Sequence, residues 1–136
     1  MPKKPRSKLT RKEQRDLDIE IGFLEGVVDR DPKYVEALQV LGDNYTRRGK
    51  FNEGMQIDET LSKLLPGDPT VLYNLACSYA LTRRLEQAAS ALLRAIERGY
   101  NDYKWLIKDP DLQNLRDHDL FKTIRARIRS AKVRIQ

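Results

Sequence analysis

The feature that most restricts this chain is self-similarity at an offset of 34 residues. Leu38 corresponds to Leu72, Leu41 to Leu75, Gly42 to Ala76 and Tyr45 to Tyr79. Further on, Phe51 corresponds to Leu85, Gly54 to Ala88, Met55 to Ala89 and Leu61 to Ala95. A fixed period of that size marks a supersecondary unit that cannot bury its apolar face alone and does so by stacking on a neighbour. Carried backwards, the offset places Ile21 on Met55, Val27 on Leu61 and Asp31-Pro32 on Leu65-Pro66. Only the second half of that earlier unit is evident.

The unit reads as a pair of helices. From Thr10, the residues Leu17, Ile21, Leu24, Val27 and Val28 recur at helical spacing and make one apolar stripe. Thr10 with Glu13 three residues on has the pattern of a capping box. This first helix stops before Pro32, because the residue preceding a proline avoids the helical region. The pair Asp-Pro occurs at 31–32, 68–69 and 109–110. Aspartate accepts hydrogen bonds from the free N–H groups of a helix start, and proline at the first position lacks only an N–H that would be unpaired. Each pair is therefore read as a helix start. Helices are expected from Asp31 to about Arg48, Phe51 to Leu64, Pro69 to about Thr82 and Leu85 to about Arg98, with stops at Gly49, Pro66-Gly67 and Gly99. The short connections predict antiparallel neighbours.

Over roughly residues 16–100 this pattern resembles the tetratricopeptide repeat family. Small residues at Gly42 and Ala76 let the helices of one hairpin approach, and Gly54 and Ala88 do the same where hairpins stack. Tyr45, Tyr79, Phe51 and Leu85 fill the space between. The resemblance implies an all-α fold, an α-solenoid of antiparallel helix pairs in a right-handed superhelix, ending in a divergent C-terminal capping helix. The organisation expected is a disordered basic tail at residues 1–9, then one helical domain over 10–136. That domain divides into a half repeat (10–31), repeats at 35–68 and 69–102, and a cap (103–136). Leu38 and Leu72 stand where the family often has Trp, and Asp58 where an aromatic is common. The second repeat ends in Gly99-Tyr100 where the first has Pro66. The segment Asp109–Phe121 resembles those that end such arrays, and Trp105, Leu106, Leu112, Leu115, Leu120, Phe121, Ile124 and Ile128 are candidates to cover the last apolar face.

For function, the resemblance implies a non-catalytic protein-interaction module or adaptor that takes a peptide or helix of another protein in the groove lined by the first helix of each pair. The candidate groove residues are Glu36, Gln39, Val40, Asp43 and Arg47 from one pair, with Tyr73, Asn74, Cys77 and Leu81 from the next. Tyr79 belongs to the core by its place in the repeat, whereas Tyr73 is open to either reading. Some family members hold a terminal carboxylate with a Lys, Asn and Arg clamp. Only Asn74 stands at a matching place, with Gln39 and Asp43 where Lys and Asn would be, so binding of that kind is not expected.

Charge offers a second reading. Residues 1–15 carry seven Lys or Arg against one Glu, and residues 120–136 carry six with no acid. With a formal net charge of +6, the stretch between them is negative by about six. The basic residues Lys3, Lys4, Arg6 and Lys8, with Arg125, Arg127 and Arg129, are candidates for contact with nucleic acid or an anionic surface. A duller reading packs the stripe Leu120, Ile124, Ile128, Ala131 and Ile135 on the body and leaves the charges solvated. Self-association, the basic ends of one copy meeting the acidic middle of another, is a third possibility.

Other chemistry finds little footing. The single cysteine, Cys77, makes an intrachain disulfide impossible, and with one histidine, His118, no cysteine–histidine zinc set can form. Cys77 reads as an inert thiol and His118 as a helix-start or surface residue. The glycines form no phosphate-cradling pattern, and no nucleophile–base pair stands out. Neither enzyme activity nor a cofactor or metal is expected. No run of 18 apolar residues and no secretory signal occurs, so an intracellular, cytoplasmic location without membrane insertion is the expectation.

Overall fold

The computed structural model describes residues 8–135, with side-chain surroundings through Lys132. The described residues are helical, without a strand. Five helices come first: α1 (Arg11–Arg30), α2 (Val35–Arg47), α3 (Phe51–Leu64), α4 (Pro69–Leu81) and α5 (Leu85–Glu97). A cap follows, made of α6 (Tyr103–Leu106), a 3-10 turn (Pro110–Leu112), α7 (Gln113–Arg116) and α8 (Phe121–Ile135). Each of the first four helices packs on the next; the 3-10 turn and α7 return to α4, and α8 lies on α5.

The local signals act much as their chemistry requires. Thr10 Oγ1 accepts from Glu13 N at 3.1 Å while Glu13 Oε1 accepts from Thr10 N at 3.0 Å, closing a capping box. Asp68 accepts from Thr70 N and Val71 N, and Asp109 from Asp111 N at 2.9 Å. Asp31 behaves differently from the expectation. It closes α1, its N–H donating to Val27 O, and α2 begins only at Val35 with Tyr34 as its cap. The reason lies in the register: Asp31-Pro32 stands where Leu65-Pro66 stands one unit later, at the end of a helix and not at its start.

The 34-residue offset recurs in the hydrogen bonds. Lys50 N donates to Tyr45 O and Arg84 N to Tyr79 O, both at 2.8 Å; Gly49 N donates to Thr46 O and Arg83 N to Ala80 O. Both turns need left-handed backbone, with φ of +83° at Gly49 and +61° at Arg83. Glycine takes that conformation freely, whereas Arg83 bears a cost on the order of 1–2 kcal/mol. Close approach explains the small residues of the first hairpin. A Cβ on Gly42 would sit 3.1 Å from Ile57 Cγ2, and one on Gly54 would sit 3.1 Å from Thr46 Oγ1.

Polar pairs also repeat. Tyr45 Oη donates to Glu25 Oε2 at 2.5 Å, and Tyr79 Oη donates to Glu59 Oε2 at 2.8 Å. Burial, and then the carboxylate partner, push the Tyr79 phenol up to about 12. The buried Ser78 hydroxyl donates to the buried Asp58 carboxylate, which accounts for an acid at a position where an aromatic is common. One unit earlier the same two places hold Asn44 and Leu24. Leucine accepts nothing, and Asn44, only 3% exposed, has its Nδ2 without a partner.

The core is not evenly spread. Its largest cluster joins α4 and α5 to the cap, with Leu72, Leu92, Leu106, Leu112, Leu115 and Ile124 fully buried. A smaller one between α1 and α2 holds Leu17, Ile21, Leu41 and Tyr45, with Leu9 packed against it. Residues 1–7 of the tail read as disordered lie outside the described residues; Leu9, at its end, is half-buried and its carbonyl accepts from Gln14 Nε2. No helix among the described residues is long and apolar enough to cross a membrane.

Candidate binding surface

The candidate groove divides at the boundary between α2 and α4. On α2, Glu36, Gln39, Val40, Asp43 and Arg47 are all exposed. Helical spacing puts them on the side opposite Leu38, Leu41 and Tyr45, which face α1 and α3. Beside them opens a cleft of about 130 Å³ between α2, α3 and α4, lined by Gln39, Asp43, Thr46, Asp58, Asp68 and Asn74. Three of these six are carboxylates and none is basic, so the potential in the cleft favours a cation. Val40, 44% exposed, lies on the same helix outside that lining.

On α4 the expectation needs correction. Tyr73 and Cys77 do not line an open groove; they are 3% and 0% exposed. The cap covers them. Tyr73 Oη donates to Asp109 Oδ2 at 2.7 Å, the Cys77 thiol donates to the same oxygen at 3.7 Å, and the Tyr73 ring stacks on Tyr100 with centroids 4.1 Å apart. Burial, then the charges of Cys77 and Asp109, drive the Tyr73 phenol far above its ordinary range. Asn114 Nδ2 adds a bond to Ala80 O at 3.0 Å, beside the half-buried Leu81. Asn74, half-buried, keeps a place in the cleft. The sequence read Asp109 as a helix start, which it is, but its second oxygen also clasps α4. Periodicity carries no sign of a contact 36 residues away.

The basic residues are scattered by the fold. Lys3, Lys4 and Arg6 lie outside the described residues, and Lys8 is exposed. On α8, Phe121, Ile124 and Ile128 are buried against the body, which leaves the intervening charges outward. Arg127 pairs with Glu97 at 2.8 Å, and Arg125 lies 4.9 Å over the Phe121 ring. Arg129 is exposed. At the other end of the molecule Asp18 pairs with Arg48 at 2.8 Å, and that bond holds the Asp18 carboxyl below its ordinary value. His118 Nδ1 accepts from Leu120 N, a role confined to the turn before α8.

No family model matches the chain. A stretch of 78 residues is 36% identical to a chloroplastic protein of Arabidopsis thaliana, covering 55% of this chain. The match spans 23% of that protein's length.

Proposed function

We propose that this chain is a tetratricopeptide-type solenoid and a non-catalytic interaction module, and that the exposed face of α2 with its adjoining cleft takes a segment of another protein carrying a basic side chain. The observation that supports this most is the cleft itself. Its lining includes Gln39, Asp43, Asp58 and Asp68 and no Lys or Arg, while Val40 is exposed on the same helix. A lysine or arginine entering it exchanges water for carboxylate oxygens, and its apolar neighbour meets Val40. Because the cap covers Tyr73 and Cys77, the footprint is short and suits a few residues of ligand.

An array of short peptides containing Lys or Arg beside an apolar residue, probed with the intact chain, tests the reading. Asp43→Lys and Val40→Glu, both changes of exposed side chains, are expected to abolish the binding without altering the unfolding curve. Binding that is unaffected by both changes overturns the assignment of this face.

The alternative, an electrostatic binder of nucleic acid or anionic surfaces acting through the basic ends, has less support. Arg127 is committed to Glu97, and α8 is held on the body by its apolar stripe. It requires affinity that falls steeply with salt, and a flat salt response rejects it. Our reading of location stays intracellular, and cytoplasmic before any other compartment. The name of the Arabidopsis relative places that protein in the chloroplast. Imaging of the tagged chain decides between the two.

A further inference from the structure

Helix α1 has two faces, and only one has a partner. Leu17 and Ile21 are buried against α2. On the opposite side, Ile19 is 67% exposed and Phe23 70% exposed, the two most exposed large apolar side chains among the described residues. Phe23 stands 34 residues before Ile57, which in the next hairpin packs on Gly42 of α2. No described helix precedes α1 to receive it. Between and beyond the two lie Gly22 and Gly26, where an added Cβ would meet nothing within 4 Å. The outward face is therefore two bulky residues alternating with two hollows.

The charges around it say what fits. Arg15, Asp16, Asp29 and Arg30 flank the stripe, all exposed. Helical geometry places Arg15 and Asp29 on one flank, Asp16 and Arg30 on the other. Laid antiparallel on its own copy with the crossing at Gly22-Phe23, α1 sets Ile19 over Gly26 of the other chain and Phe23 beside Phe23 across the two-fold axis. The same register sets Arg15 beside Asp29 and Asp16 beside Arg30 on both sides of the two-fold axis.

We infer that the outer face of α1 is a self-association surface whose occupant is α1 of a second copy of this chain, packed antiparallel. The contact is isologous, so two copies satisfy it. It is independent of the α2 cleft and does not use the basic ends.

Sedimentation of the intact chain across the micromolar to millimolar range tests this. Mass is expected to rise towards two chains with concentration. Phe23→Glu should weaken association on the order of 100-fold, since it removes a buried phenyl from both sides of the axis, while the unfolding curve stays unchanged. Asp29→Arg should also weaken it, and adding Arg15→Asp to Asp29→Arg should restore it. A chain monomeric throughout the range overturns the inference. So does a dimer that survives Phe23→Glu, or one for which the paired exchange brings no recovery.

Discussion

The hydroxyl of Tyr73 and the carboxylate of Asp109 meet at 2.7 Å with both residues buried, and through that contact the cap closes over α4. One Asp109 oxygen caps the 3-10 turn while the other takes the phenol and the Cys77 thiol. Asp109→Ala should therefore destabilise the fold by about 1–3 kcal/mol, because the Tyr73 hydroxyl stays buried without its acceptor. Asp109→Asn retains an acceptor and a capping side chain, so its loss should be the smaller of the two. Denaturant unfolding of the two variants side by side checks the order. Equal losses would mean that the clasp contributes nothing beyond packing.

The pair Asn44 and Ser78 makes a sharper comparison. They occupy the same place in successive units, but only Ser78 has a partner across the helix interface. Removing the Ser78 hydroxyl takes a donor from the buried Asp58, so Ser78→Ala should lower stability by about 1–3 kcal/mol. Asn44→Ala removes a buried amide whose Nδ2 is unmatched, and should leave stability unchanged or raise it. Thermal unfolding of both variants under one condition is the measurement. A larger loss at Asn44 than at Ser78 would contradict this account.

Alkaline pH probes the tyrosine pairs. The Tyr79 phenol rises from an ordinary 10.0 to about 12 in the folded chain, and Tyr45, Tyr73 and Tyr100 are raised as well, with burial the leading cause in each. A raised folded value means that the native state holds the proton more firmly than the unfolded chain. The associated stability is complete below the unfolded value and is lost as pH climbs through the folded one. Unfolding free energy should thus fall between about pH 10 and 12, with a slope that Tyr79→Phe makes shallower. Stability that is flat across that interval would show that these phenols titrate alike in both states.

The helices were legible because burial writes a 3.6-residue period into residues such as Leu17, Ile21 and Leu24, and capping chemistry is local at Thr10 and Asp68. The open half of the candidate surface was legible for the same reason: Gln39, Val40 and Asp43 are what remains of α2 once its buried stripe is removed. The covered half was not. Whether Tyr73 faces solvent or a lid depends on where residues more than thirty positions later come to rest. Neither spacing nor propensity encodes that. Arg83 illustrates a second kind of opacity. Its left-handed turn matches that of Gly49, yet no glycine announces it, because the contacts of the hairpin outweigh a local cost of a kcal/mol or two. Asp31-Pro32 shows the converse, a strong local signal assigned to the wrong side of a boundary that the register would have settled.

The clasp gives the chain a direction of growth. The interface between α3 and α4 rests on partners twenty residues apart, such as Tyr79 with Glu59, and the same spacing joins Tyr45 to Glu25. A duplicated stretch of 34 residues inserted ahead of α4 would meet matching partners on both sides. The same stretch inserted after α5 would part α4 from Asp109 and Asn114, stranding the groups they cover. A 34-residue duplication is thus accommodated ahead of α4, whereas one between α5 and the cap would cost the contacts that cover Tyr73 and Cys77.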